Sequence, residues 1–363
     1  MSENKLYMAI GEEATRGTKE ASTVGFIPLL GASIPTVEFE EKKRKEFRGE
    51  DTVKGDTTTL RMSQKWGGSI EMPMFTEAGS TAGMVGTLFK HFFGSATSAQ
   101  NATTGQFAHM MYPVPDPFAA ANLDTKALTV NLNINEGATM KNWPFVGGRV
   151  TSLSFDQEVG DHLKVTAEMV GQFKDPVTSE IGSQTFAAEN LRCDYNNLTV
   201  YTGTITRVGT APDYTDYTFG SATQIKPDKI SVKIESGMED AMRLSGIDYP
   251  DKTRMGMFLV TAELTIDWED PSSGFSSVDD FTAWVGGVSE TNLSLHWDSG
   301  TQAGTGDNHG LYIDIPRASR LGGEPEYDLE KDPMITLKYE GLFDATTTEY
   351  IVGLLLKNTA ATV

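Results

Sequence analysis

The sequence predicts a mainly β protein made of two similar halves in tandem. Each half is read as a β-sandwich or partial barrel with one flanking α-helix and a long assembly loop. Three observations carry this. Short runs in which apolar and polar residues alternate recur along the 363 residues, which include 36 glycines; that period belongs to half-buried strands. Only two segments place apolar residues at helical spacing. The strand patterns also recur in the same order in both halves, the mark of an internal repeat.

Taken in order, the first strand pattern opens "VEFEEKKRKEFR" (37–48), and a second lies in "GGSIEMPMF" (67–75). "GSTAGMVGTLFKHFFG" (79–94) follows, with Met84, Val85, Leu88, Phe89 and Phe92 on one stripe. Ser80 or Thr81 is placed to cap this helix, and Gly94 to end it. "LTVNLNIN" (128–135) is a strand. "RVTSLSFDQEV" and "HLKVTAEMVGQF" flank Gly160 and Asp161, which predicts a hairpin over 149–173. Further strands are expected at 197–206, 230–235, 258–268 and 334–343, with a weaker helix at 276–287 behind Ser276 or Ser277. "YIVGLLL" (350–356) is far shorter than the ~20 residues of a membrane-spanning helix and reads as a buried strand. Polar, glycine-rich segments at 95–106, 208–223 and 299–310 read as loops.

The repeat emerges when the halves are set side by side. "VEFEEKKRKEFR" matches "VKIESGMEDAMR" (232–243), with Val37 on Val232, Phe39 on Ile234 and Arg48 on Arg243. Around 67–75 and 260–268, Glu71 meets Glu263 and Met72 meets Leu264. "VTAEMVGQF" (165–173) matches "ITLKYEGLF" (335–343), pairing Gly171 with Gly341 and Phe173 with Phe343. At about 150 residues per domain, the length also suits two domains. They are placed at 1–190 and 191–363, and the segment 187–205 fits either.

Charge excludes several classes of function. The formal net charge is −20, so the average field repels phosphate and the chain has no general affinity for nucleic acid. The cationic run Lys42, Lys43, Arg44, Lys45, with Arg48, is offset by Glu38, Glu40, Glu41, Glu46, Glu50 and Asp51, which leaves 5 − 6 = −1 over residues 37–52. Its counterpart in the second half is Gly237, Met238, Glu239, Asp240, so the charge is not a property of the shared pattern. The single cysteine, Cys193, allows no disulfide within the chain, which suits a reducing compartment. The N-terminal stretch lacks the cationic and apolar segments of a signal peptide.

No catalytic or cofactor signature emerges. "GTGDNHG" (304–310) does not fit the dinucleotide fingerprint, and the 298–308 loop lacks calcium-loop spacing. His91, His109, His162, His296 and His309 have no ligand spacing, and Thr81 in "GSTAG" is explained by capping. The five tryptophans fall mostly within strand or helix patterns, which favours core packing over a sugar platform. No cofactor, metal or enzymatic activity is expected.

The order "DKISVKIESGMEDAMRLSG", "GMFLVTAELTIDWED", "LYIDIPRAS", "MITLKYEGLFDATTTEYIVGLLLKN" resembles the major tail tube proteins of long, non-contractile-tailed bacteriophages. "LYMAIGEEATRGT" and the segment 34–94 resemble the first half of their two-domain members. The resemblance implies rings stacked into a hollow tube in the virion, assembled in the host cytoplasm. It implies trimers whose six similar domains imitate a hexamer, and an inner β-barrel through which DNA passes without specific binding. Its implied partners are tape-measure, tail-terminator and tail-tip proteins, and no membrane. On this reading the polar strand faces carrying Glu71, Glu168, Glu263, Asp267 and Glu340 are the candidate bore lining. The loops 40–65 and 236–256 are candidate assembly arms, in which Lys42, Lys43, Arg44, Lys45 and Arg48 meet acidic surface such as Glu239 and Asp240 on a neighbour. The alternative is a carbohydrate-binding or adhesin-type β-sandwich; a β-rich hydrolase would need an acid–base or nucleophile cluster that the sequence does not offer.

Overall fold

A computed structural model describes residues 6–22, 24–32, 35–43, 59–76, 83–101, 105–113, 127–136, 139–182, 185–244, 246–254, 256–305, 307–327 and 332–361. The first half comprises β1 (Leu6–Glu12), β2 (Val24–Ile27), β3 (Gly31–Ala32), β4 (Thr36–Lys43), β5 (Thr59–Pro73), α1 (Gly83–Phe93), β6 (Thr97–Asn101), β7 (Gln106–Met111), β8 (Leu128–Glu136), β9 (Thr139–Glu158), β10 (Lys164–Gly171), β11 (Phe173–Lys174) and β12 (Thr178–Ser179). The second half comprises β13 (Leu198–Thr210), β14 (Asp213–Ile225), β15 (Lys229–Glu235), β16 (Glu239–Ala241), β17 (Lys252–Arg254), β18 (Leu259–Asp267), α2 (Ser277–Gly286), β19 (Glu290–Gln302), β20 (Asn308–Gly322), β21 (Pro325–Glu326), β22 (Met334–Gly341) and β23 (Gly353–Asn358). The protein is mainly β, as its alternating patterns predict.

Eight strands form one antiparallel run, β4–β5–β10–β9–β15–β18–β22–β20. Its strands alternate as expected. In β10, Val165, Ala167 and Met169 are buried while Lys164, Thr166 and Glu168 face away from the core. In β18, Val260, Ala262, Leu264 and Ile266 are buried, and Thr261, Glu263, Thr265 and Asp267 point to the other side. Gly160, with φ of 88°, takes the β9–β10 turn at a conformation that only glycine adopts without strain.

The long strand β9 serves two layers. Its last half lies in this run, and its first half pairs with β8, which pairs with β1 and then β2. In the second half β20 plays the same part: it pairs with β19, which pairs with β13 and then β14. β23, the expected apolar strand, lies between β20 and β7, so a hairpin from the first half (β6–β7) completes the second-half layer. The apolar faces of the layers enclose a core that includes Trp66, Phe155, Leu264, Trp297 and Leu354.

Equivalent strands therefore follow one another in the same order, β4, β5, β10, β9 and then β15, β18, β22, β20. Even a bulge recurs. β9 and β10 slip register between Glu168 and Met169, and β20 and β22 slip at Lys338 and Tyr339, 170 positions later in both strands. Two of the sequence matches need correction. Gly67 lies between Val170 and Thr36, and Thr261 lies between Glu340 and Lys233, so Thr36 corresponds to Lys233 and Gly67 to Thr261. Val37 thus corresponds to Ile234 rather than Val232, and Glu71 to Thr265 rather than Glu263. Each match is displaced by two residues, a slip that a period of two cannot detect because it keeps every side chain on its face.

Helix α1 is buried: Leu88, Phe89, Phe92 and Phe93 are inaccessible, and Phe258 of the second half packs on Phe92 at 5.6 Å between ring centroids. α2 begins as expected, with the Asp279 amide donating to Ser276 Oγ at 3.0 Å. It is held through Phe281 and Trp284, over which the buried Arg320 guanidinium lies while also pairing with Asp280. Residues 208–223, expected as a loop, form the β13–β14 hairpin. Within 208–223 the buried side chains are Tyr214 and Tyr217, so a polar, threonine-rich sequence hid the inward face there. β6, β19 and β20 likewise extend into the segments expected as loops at 95–106 and 299–310.

Candidate functional site

The eight-stranded run has one face in the core and one face outside it. Cross-strand neighbours point the same way, so the outer face can be followed across the strands. One row reads Glu71, Thr166, Ser154, Lys233, Thr261, Glu340, Ser319. The next reads Ser69, Glu168, Ser152, Glu235, Leu259. A third contains Lys164, Asp156, Ser231, Glu263 and Lys338, and Asp267 lies further along the same side of β18 opposite Met334. Glu71, Glu168, Glu263, Asp267 and Glu340 therefore share one face of one continuous sheet, although they come from four strands and both halves.

The electrostatics of that face are one-sided. Among the lysines whose side chains are described, five are engaged: Lys65 with Glu38 at 3.0 Å, Lys229 with Glu158 at 2.5 Å, Lys233 with Glu235 at 2.6 Å, Lys338 with Glu263 at 3.3 Å, and Lys164 with Asp161 in the adjoining turn at 2.8 Å. The hydrogen bonds from Lys229 to Glu158 and from Lys233 to Glu235 raise those ammonium pKa values above the ordinary lysine range. Pairs this exposed are screened by solvent and add little to stability; their consequence is to tie down the positive charge. Glu71, Glu168, Asp267 and Glu340 form no ion pair among the described residues. The face presents paired lysines and surplus carboxylates.

The run ends at β4 and at the segment 321–326. Among the described residues the strand that pairs with β4 is β5, and the segment 321–326 pairs with β22. Pairing of β19 with β20 reaches Ser319, and the Arg320 amide donates to the Ser289 carbonyl at 3.0 Å; beyond that the outer side is free among the described residues.

The expected assembly residues divide into groups. Lys42 and Lys43 lie at the end of the β4 edge, opposite Leu60 and Thr59. Arg44, Lys45 and Arg48 lie outside the described residues. Glu239 and Asp240 form β16, paired with β17. Glu239 is exposed, but Asp240 is not an open acceptor. Its Oδ1 receives Arg16 at 2.8 Å and Thr253 Oγ1 at 2.7 Å, and both side chains of the ion pair are nearly inaccessible. Within one chain the loop 236–256 is fastened to the first half. The Gln64 amide donates to the Asp248 carbonyl at 2.6 Å, Gln172 Nε2 donates to the Pro250 carbonyl at 2.6 Å, and Tyr249 packs on Phe173 with centroids 4.9 Å apart. Sequence reasoning missed Arg16, Gln64 and Gln172, whose partners lie far along the chain and leave no local pattern.

Among the described residues no group of three or more His, Cys, Asp or Glu is placed to hold a metal ion, and no helix is long and apolar enough to cross a membrane. Trp66 and Trp297 are core residues that donate to the Val146 carbonyl and to Gln157 Oε1. A family model described as phage tail tube protein matches residues 3–341. No curated protein matches the chain.

Proposed function

The chain belongs to the phage tail tube protein family, and from that membership we propose how this sheet serves a tail tube. The protein is a structural subunit of the virion tail that self-assembles into a tube. Its two halves, 1–190 and 191–363, act as two tube domains, and three chains make a ring of six. The polar face of the eight-stranded run lines the bore, with Glu71, Glu168, Glu263, Asp267 and Glu340 facing the lumen. DNA passes through it during genome ejection.

One observation supports this above the others: a single continuous polar sheet, rich in carboxylates, that runs through both halves of the chain. Eight strands closed on themselves give a barrel just filled by side chains. Three chains supply 3 × 8 = 24 strands, and at ~4.8 Å between strands the circumference is about 115 Å before tilt. Barrels of 16–18 strands already leave an aqueous channel. Surplus carboxylates repel phosphate, and the lysines that would hold it are engaged, so a duplex slides without binding. Rings stack through the long loops, where Lys42, Lys43, Arg44, Lys45 and Arg48 meet acidic surface of a neighbour; Glu239 faces solvent and Asp240 serves inside the chain. A tape-measure protein occupies the bore during assembly in the host cytoplasm, and terminator and tip proteins bound the tube.

The test is charge reversal of Glu71, Glu168, Glu263, Asp267 and Glu340 to lysine together. Tubes that form but release the genome more slowly are the expected outcome; release at the wild-type rate would remove these residues from the bore.

A further inference from the structure

We propose that the outer layer of the second half carries a binding cleft for a small organic cation, a primary ammonium ion held between Asp216, Asp298 and Asp307. The cleft lies away from the polar run and does not rest on the tube reading.

Its position follows from strand alternation. In β19 and β20, Leu295, Trp297, Leu311 and Ile313 turn into the core. The cross-strand partners His296 and Tyr312 therefore turn the other way. Their rings stack there with centroids 3.9 Å apart. The β13–β14 hairpin folds over the same side, where Tyr217 and Phe219 pack against Tyr312. A cavity of about 240 Å³ remains, lined among others by Asp216 of β14, His296 and Asp298 of β19, Asp307, and His309 and Tyr312 of β20. That is smaller than the ~300–1,000 Å³ of sites for drug-sized ligands, so the occupant is small.

Hydrogen bonding defines the chemistry. The Gly300 amide and Asn308 Nδ2 donate to Asp298 at 2.8 and 3.2 Å and orient it. His309 is 2% exposed; burial lowers its pKa and keeps it neutral, and its Nδ1 donates to the Thr76 carbonyl at 2.9 Å. Its Nε2 is therefore an acceptor, and it has no partner among the described residues. Tyr312 is 6% exposed, and its hydroxyl likewise has no hydrogen-bond partner among the described residues. Burial raises the Tyr312 pKa, and Asp216, Asp298 and Asp307 each add to that rise, so three negative charges surround one buried hydroxyl. The cleft thus offers acceptors and negative charge, and it lacks donors to match them.

The chain supplies its own example of what fits. The Lys357 ammonium sits 2.5 Å from Asp216 and 5.3 Å from the centroid of the Tyr312 ring. An ammonium brings three donors, no acceptor, and a charge that aromatic rings attract. Asp298 and Asp307 form no ion pair among the described residues, which leaves room for a second ammonium. An anion is repelled. A sugar needs an open aromatic face, but His296 and Tyr312 cover each other and Phe219 lies 5.9 and 6.4 Å from them. A metal ion needs grouped ligands, and these side chains are not so placed.

The experiment is calorimetric titration of the whole chain with 1,4-diaminobutane at pH 7.5 and low salt, with magnesium chloride and methyl glucoside as comparison ligands. Saturable binding of one diamine per chain is expected. Asp307→Asn should weaken it roughly tenfold, as loss of one charge-assisted hydrogen bond implies. Glu326→Gln, an exposed acid on β21, should leave it unchanged. No saturable binding, or equal weakening by both variants, overturns the site. Displacement of the diamine by equimolar magnesium, or tighter binding of methyl glucoside, overturns the ammonium assignment. If Asp307→Asn does not fold, histidine NMR of wild-type protein decides. Diamine-dependent shifts of His296 and His309, with buried His91 unmoved, support the site, and unmoved His296 and His309 overturn it.

Discussion

Gly171 and Gly341 show how single residues set this fold. A Cβ at Gly171 would stand 2.2 Å from the Trp66 ring, and one at Gly341 would stand 2.9 Å from Val260 Cβ. Glycine is needed at both because a neighbouring side chain crosses over the backbone, and this is why the pair stood out in the sequence. His296 was read only as a histidine without ligand spacing; its role comes from packing. Its ring stacks on Tyr312 with centroids 3.9 Å apart, and burial pushes its pKa from the ordinary 6.5 down to about 4. The unfolded chain takes up this proton below about pH 6.5, but the native chain only near 4. Stability is therefore fully present above 6.5 and is lost as pH falls towards 4, by about 3 kcal/mol at most from this group. Burial lowers His91, His109 and His309 in the same direction. Urea midpoints should fall between pH 7.5 and pH 5, and His296→Phe, which keeps an aromatic ring on Tyr312, should fall less. An equal fall in both proteins would assign the acid sensitivity elsewhere.

Elements were legible where one face is apolar and the other charged. β10 and β18 alternate so cleanly that their faces were readable without coordinates, and α2 was placed by its serine cap. Register was not legible, because β4 and β5 match their counterparts almost as well two residues away. β13 was expected over 197–206, but its partner β14 was hidden because Tyr214 and Tyr217 are its buried side chains ahead of Ile225. The fastening of the loop 236–256 was invisible because Arg16 and Asp240 lie 224 positions apart. Breaking a buried pair on one side costs about 3–5 kcal/mol, so Asp240→Asn should free this loop. Amide exchange should accelerate at 246–254 while β10 stays protected. Unchanged exchange at 246–254 would show that Gln64, Gln172 and Tyr249 hold the loop without the ion pair.

At the scale of the whole molecule, composition announced an acidic, strand-rich chain with a repeated pattern, and the family match agrees with the resemblance those patterns carried. The sequence alone did not disclose that both halves share one sheet. That depends on the β9–β15 ladder, and a sheet edge has no sequence motif, only an absence of partners. Once the ladder is seen, the five acids chosen from four strands fall on one surface. Electron cryo-microscopy of assembled tubes tests this most directly. Three chains per ring and an unbroken inner barrel of 24 strands, with Glu71, Glu168, Glu263, Asp267 and Glu340 on its lumenal side, are the expected result. A tube whose wall presents this face outward would contradict it.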